Sequence, residues 1–141
     1  MAELTCQFVR PDKLIYEGLV KSLILVTKNG ELGVWPGHAN EICSLGDGVV
    51  RLHHLDEDGG GTDNVVVSGG YAEIGPDGVI ILADHARLAN DIDPDVVTET
   101  RQKALDALEN LDDSDNRSAY YEQKIKWCNM LLKEEQKLRE G

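Results

Sequence analysis

The sequence predicts an α+β chain, with an N-terminal antiparallel β-sandwich over residues 1–88 and a C-terminal antiparallel two-helix hairpin over 89–141. Three observations carry this. Up to about residue 83 short apolar segments alternate in facing with period two, and turn residues separate them. After Ala83 no glycine recurs until the final residue. From Asp93 onward the apolar positions repeat at helical spacing.

Taken in order, "LTCQF" sets Leu4, Cys6 and Phe8 on one face and Thr5 and Gln7 on the other, as a half-buried strand requires. "LVKSLILVT" (19–27) is rich in β-branched and long apolar residues, and Asn29-Gly30 follows as a hairpin turn whose residues both tolerate positive φ. "GVVRLHHL" (48–55) and "NVVVS" (64–68) flank "DEDGGGTD", a loop too polar to bury. "YAEI" and "VIILA" are joined by Gly75-Pro76-Asp77-Gly78, again a turn. About eight to ten strands at this spacing predict a sandwich or flattened barrel. In the second part, Asp93 is placed to cap a helix and Pro94 to open it, where its missing N–H is no loss. Val97, Ala104, Leu108 and Leu111 then share one face. "DDSDN" (112–116) is a polar connector, and Tyr121, Ile125, Cys128, Leu132 and Leu138 form the stripe of a second helix. The narrow stripes let the two helices bury each other with little to spare, so the hairpin is expected to be marginal and free to move.

Composition narrows the function. The 141 residues carry 26 acidic and 14 basic side chains, a formal charge of −12. That balance repels phosphate backbones and anionic lipid, so neither nucleic acid nor a membrane surface is an expected direct partner. No apolar run reaches the eighteen residues of a membrane span, and the first residues show no secretory pattern. The three widely spaced cysteines, Cys6, Cys43 and Cys128, read as free thiols packed as small hydrophobes in a reducing cytoplasm, and no metal site is offered.

The chain carries no nucleophile elbow and no phosphate loop. Ser68-Gly69-Gly70 follows a strand but opens no helix, and reads as close backbone packing. His53 and His54 are adjacent on a strand, point to opposite faces and cannot chelate one metal together. Asp84-His85 sits where the strand pattern ends and reads as turn chemistry. What remains is "NGELGVWPGHA" (29–39). Gly33 and Gly37 let it bend, Pro36 stiffens it, and Trp35 can anchor it on the sandwich. Glu31 and His38 are then presented on a rigid loop. Two uses stay open: a docking loop, or a ligand-binding or enzymatic site built from Glu31 and His38, with Asp84 and His85 as further candidates.

The succession "GELGVWPGHA", "VVVSGGYAEI" and "VIILAD", then an acidic connector and a helical hairpin, resembles the epsilon subunit family of the F-type ATP synthase (delta in mitochondria). The resemblance runs the length of the chain. It implies a non-catalytic rotor subunit of the central stalk, coupling ion translocation to ATP synthesis, peripheral on the cytoplasmic face of the bacterial cell membrane without inserting into it. The sandwich is then expected against the gamma subunit and the c-ring, with Glu31, Gly33, Trp35, Pro36, Gly37 and His38 as the docking loop. The hairpin is expected to extend among the alpha and beta subunits and to inhibit ATP hydrolysis. Lys124, Lys126, Lys133, Lys137 and Arg139 are its candidate inhibitory cations, a solvated mixed-charge face being the alternative. Some members of the family bind ATP through Ile-Asp-x-x-Arg-Ala; here Ile92 and Asp93 match, but Val96 and Val97 replace the arginine and alanine. A valine can neither neutralise nor fork onto a phosphate, so no cofactor is expected and ATP binding is disfavoured.

Overall fold

The computed structural model describes residues 3–112 and 114–140; Met1, Ala2, Asp113 of the expected connector and the terminal Gly141 lie outside the described residues. The chain divides into two compact units, Met1–Leu88 and Ala89–Gly141.

The first unit holds eight strands: β1 Leu4–Arg10, β2 Lys13–Val20, β3 Ser22–Thr27, β4 Gly30–Val34, β5 Glu41–Ser44, β6 Asp47–His53, β7 Thr62–Ile74 and β8 Gly78–Leu88. They run in the order β2-β1-β8-β7-β6-β3-β4, with β5 also paired to β7. The alternation expected in β1 holds: Leu4, Cys6 and Phe8 are buried and Thr5 and Gln7 exposed. The sandwich arises because β7 is long and changes partner along its length. Thr62 to Ser68 pair with β6, whereas Tyr71 to Ile74 pair with β5. Gly69 and Gly70 sit between, at φ 73° and 119°. A Cβ on Gly70 would run into the Leu82 carbonyl, so glycine is what lets β7 turn the corner against β8. Leu4, Phe8, Leu23, Leu25, Leu52 and Ile81, from both layers, are wholly buried in the shared core.

Four expectations are corrected. "NVVVS" and "YAEI" are halves of one strand, because a glycine pair that reads as a break serves here as a bend. The segment 19–27 is split at Lys21, whose N–H donates to the His53 carbonyl at 2.8 Å, between β2 and β3. In the β3–β4 hairpin Thr27 pairs with Gly30, which alone takes a positive φ of 119°; Asn29 does not. Its N–H donates instead to Thr27 Oγ1 at 3.1 Å. Finally, the sheet is not wholly antiparallel. β1 and β8 are parallel, Thr5 opposite Gly78, a pairing possible because the rest of the unit serves as their crossover.

The second unit holds α1 Pro94–Glu109 and α2 Arg117–Glu140. Asp93 caps α1 through its side chain, which accepts from the N–H of Asp95 and of Val96 at 3.0 and 3.4 Å. Before α2, Asp115 accepts from the Arg117 N–H at 2.9 Å and from its guanidinium. Arg101 donates to Asn129 at 2.9 Å, tying the helices together. Val97 and Ala104 are buried as expected, with Leu108 and Leu111 partly so. In α2 the stripe is shifted. Cys128 is buried, but Leu131 takes the place given to Leu132, and Leu138 is exposed. Glu134 and Glu135 are only 7% exposed.

Candidate functional site

The segment 29–39 forms β4 and the loop beyond it. β4 ends on Val34, wholly buried, and this residue rather than Trp35 holds the loop to the core. Trp35 is 57% exposed. Its ring lies flat across Gly33, where a Cβ would come within 2.8 Å of the ring's Cη2. Gly33 is therefore not a bend, as the sequence indicated. It lies inside β4, opposite Ile24, and leaves room for the indole. The bend is at Gly37, φ 89°, whose N–H donates to the Pro76 carbonyl at 2.9 Å. The His38 N–H closes a turn on the Trp35 carbonyl at 3.2 Å. The β7–β8 turn thus supports residues 35–38, a contribution from Pro76 that sequence reasoning missed because 39 residues separate it from Gly37 (76 − 37).

The charged groups are held apart. Glu31 accepts from Arg51 at 3.0 Å, the guanidinium reaching across β3 from β6. His38 Nδ1 is 2.7 Å from the Ala39 carbonyl, which can only accept, so the proton sits on Nδ1. Its Nε2 faces Glu41 at 3.9 Å. Asp84 and His85, expected at a turn, are consecutive residues inside β8 and point to opposite faces. Asp84 lies against Gly69, and His85 pairs across the sheet with Ser68, which itself donates to Asp47 at 2.7 Å. His53 and His54 have separate partners, Thr62 and Asp63, each at 2.9 Å. Among the described residues no three His, Cys, Asp or Glu side chains are grouped to hold a metal ion.

Cys6, Cys43 and Cys128 form no disulfide, and burial pushes Cys6 up to about 12. Cys43, half-buried, is also raised, by burial and then by Glu41. Neither is poised as a thiolate nucleophile.

On α2, Lys126, Lys133 and Lys137 fall within about 40° of one another at 100° per residue. Lys124 and Arg139 project elsewhere. Lys124 lies 5.7 Å above the Tyr120 ring, and Arg139 is bound to Glu135 at 2.7 Å. At the start of α1, Ile92 is buried, the Asp93 carboxylate is engaged as the cap, and Val96 is exposed.

The charged side chains of the sandwich are thus dispersed, and a two-helix unit follows it. A family model described as "ATP synthase, Delta/Epsilon chain, beta-sandwich domain" matches residues 3–89. Proteins named ATP synthase epsilon chain are 35% identical in Bordetella avium, over 84% of this chain and 82% of that one, and 38% identical in Chromohalobacter salexigens, over 77% and 74%. A third, from Bacillus pumilus, is 34% identical over 84% of this chain and 88% of its own. The chain belongs to the delta/epsilon family of the ATP synthase. Among solved structures, one in the Euglena gracilis mitochondrial ATP synthase (OSCP/F1/c-ring) has a TM-score of 0.69 at 23% identity, covering 93% of this chain and 80% of that one. One in the Tetrahymena thermophila mitochondrial ATP synthase (central stalk/c-ring) has 0.53 at 15%, covering 92% of each. At such identities these two establish the shared fold. The chain is thus a subunit of the ATP synthase with no active site of its own, and the catalytic reading of Glu31, His38, Asp84 and His85 falls away. Among the described residues no helix is long and apolar enough to cross a membrane.

Proposed function

We propose that the chain is the epsilon-type subunit of a bacterial F-type ATP synthase rotor. In this reading it lies on the cytoplasmic face of the membrane, held there by its protein partners. The sandwich docks on the gamma subunit and the c-ring through residues 35–38 and the neighbouring Glu31, and the helices reach alpha and beta. The observation that carries it is the bond from Gly37 to Pro76. It ties an exposed loop to a second turn of the same rigid sheet, which suits a part that must transmit torque without yielding. Lys126, Lys133 and Lys137, aligned on one face of α2, are the cations we assign to restraint of hydrolysis; Lys124 and Arg139 project elsewhere. ATP is not a ligand in this reading, because Asp93 is occupied as a cap and Val96 offers phosphate nothing.

Removing residues 89–141 and reconstituting the remainder with its own synthase tests this. The truncated chain is expected to assemble, since the sandwich core lies within its own strands, and to release ATP hydrolysis from restraint. Failure to assemble would refute the assignment of docking to the sandwich. Assembly with an unchanged hydrolysis rate would remove the inhibitory role alone.

A further inference from the structure

β4 stands at the end of the sheet order, so a long side chain on it has a neighbouring strand on one side only. Glu31 is such a side chain, 58% exposed. Register nevertheless gives it a partner from two strands away. Gly33 of β4 stands opposite Ile24 of β3, and Ile24 opposite Arg51 of β6, so the three share one face of the sheet. Glu31, two residues before Gly33, points to that same face. The Arg51 Nη2 donates to Glu31 Oε2 at 3.0 Å. Two strand spacings and one two-residue step separate their backbones, about 12 Å, so both side chains reach out nearly straight to meet. The Arg51 stem crosses Ile24 on the way, and Ile24 is partly buried.

Stability does not account for the pair. Exposed ion pairs contribute little to folding, because water screens the charges and two flexible side chains lose their freedom. The bond instead fixes the direction of a carboxylate. The Trp35 ring rests on Gly33 on the same face, so carboxylate and indole are presented side by side. The bond engages Oε2, and the second oxygen of a carboxylate can accept from a partner.

We infer that Arg51 is a positioning residue, holding Glu31 in its docking conformation before the partner arrives. This rests on the reading of Glu31 and residues 35–38 as the docking segment, and adds to it a residue outside that segment, on another strand. The freedom of the glutamate is then lost on folding rather than on association. Ordering one long side chain in advance changes affinity by about two- to tenfold.

The test uses the purified synthase stripped of this subunit, re-bound by the full-length chain. Three variants are compared with the unaltered chain: Glu31→Ala, Arg51→Met, and the two together. Methionine keeps much of the arginine stem over Ile24 and lacks the guanidinium. All three are expected to fold, with far-ultraviolet circular dichroism and melting midpoint unchanged, since both side chains are exposed. Arg51→Met is expected to weaken rebinding about two- to tenfold. With Glu31 already alanine, adding Arg51→Met is expected to weaken it no further, because the arginine acts only through that carboxylate. Side-chain NMR relaxation of Glu31 in the full-length chain is expected to report greater motion in Arg51→Met. Three results would each overturn the proposal and leave the stalk reading intact. They are rebinding of Arg51→Met at the unaltered level, an equal further loss in the double variant, and a Glu31 side chain no more mobile than before. If Glu31→Ala rebound at the unaltered level, the docking role of Glu31 would fall and this inference with it.

Discussion

The two units are built to different standards of burial. In the sandwich, Leu4, Phe8, Leu23, Leu25, Leu45, Val50, Leu52 and Ile81 are all 0% exposed, and long-range strand pairing holds each in place. In the helical unit, Val97, Ala104, Cys128 and Leu131 are the buried apolar residues of the two helices, and two of the four are small. Beside them Glu134 and Glu135 are buried, and Glu135 Oε2 has no hydrogen-bond partner. A buried carboxylate oxygen left without a partner works against the packing that hides it. The comparison teaches that dense and sparse burial have been assigned to separate stretches of one chain. The first suits a body that carries torque, and the second a pair of helices that exchanges one set of contacts for another.

The largest effect that would sharpen the contrast is expected from Phe8→Ala. It removes the largest wholly buried side chain and should cost the sandwich about 3–5 kcal/mol, read from denaturant unfolding followed at a strand signal. Leu131→Ala should cost the helical unit about 2–5 kcal/mol. Because that unit has so little else buried, its helical signal is expected to melt first, with the sandwich midpoint unmoved. A single transition lowered for both signals would break the comparison.

Asp93→Ala should be smaller, about 1 kcal/mol, since it frees the N–H groups of Asp95 and Val96 at the start of α1. Hydrogen exchange of the first turn of α1 would report it, and unaltered protection would show the cap to be idle. The smallest effect is a pH dependence at the connector. The Arg117 hydrogen bonds hold the Asp115 carboxyl at about 2, below its ordinary 3.8. A lowered folded value means that its contribution is complete above pH 3.8 and is lost as pH falls through about 2. The readout is its own titration by carboxyl NMR, and a midpoint near 3.8 would dissolve the contact.

Where one physical rule acts locally, the fold was legible. Alternation in "LTCQF" specifies β1, and Asp93-Pro94 specifies the start of α1, because the cap and the proline ring act within three residues. Gly69-Gly70 was misread because a glycine pair looks alike whether it ends a strand or bends it, and only contact with Leu82 separates the cases. Ser68 with Asp47 and Gly37 with Pro76 are equally invisible, since their partners lie 21 and 39 residues away. At the site, Trp35 was expected to be an anchor because tryptophan usually is one; the side-chain-free surface of Gly33 lets the ring rest outside instead. The burial of Glu134 and Glu135, in a helix of mixed composition, leaves no periodic trace in the sequence.

The parallel pairing of β1 with β8 carries a consequence for synthesis on the ribosome. Thr5 meets Gly78 across 73 residues (78 − 5), so one seam of the sheet joins the first strand made to the last. At the usual pace of translation β1 must wait about 4–15 s for its neighbour, with only β2 beside it in the meantime. During that interval its open edge, flanked by Leu4, Cys6 and Phe8, is available to other nascent chains. A pairing of such long sequence separation also forms slowly once all its parts exist. The hazard in this chain's life is therefore concentrated before Leu88 emerges, and a chaperone that shields the first twenty residues would protect the whole sandwich.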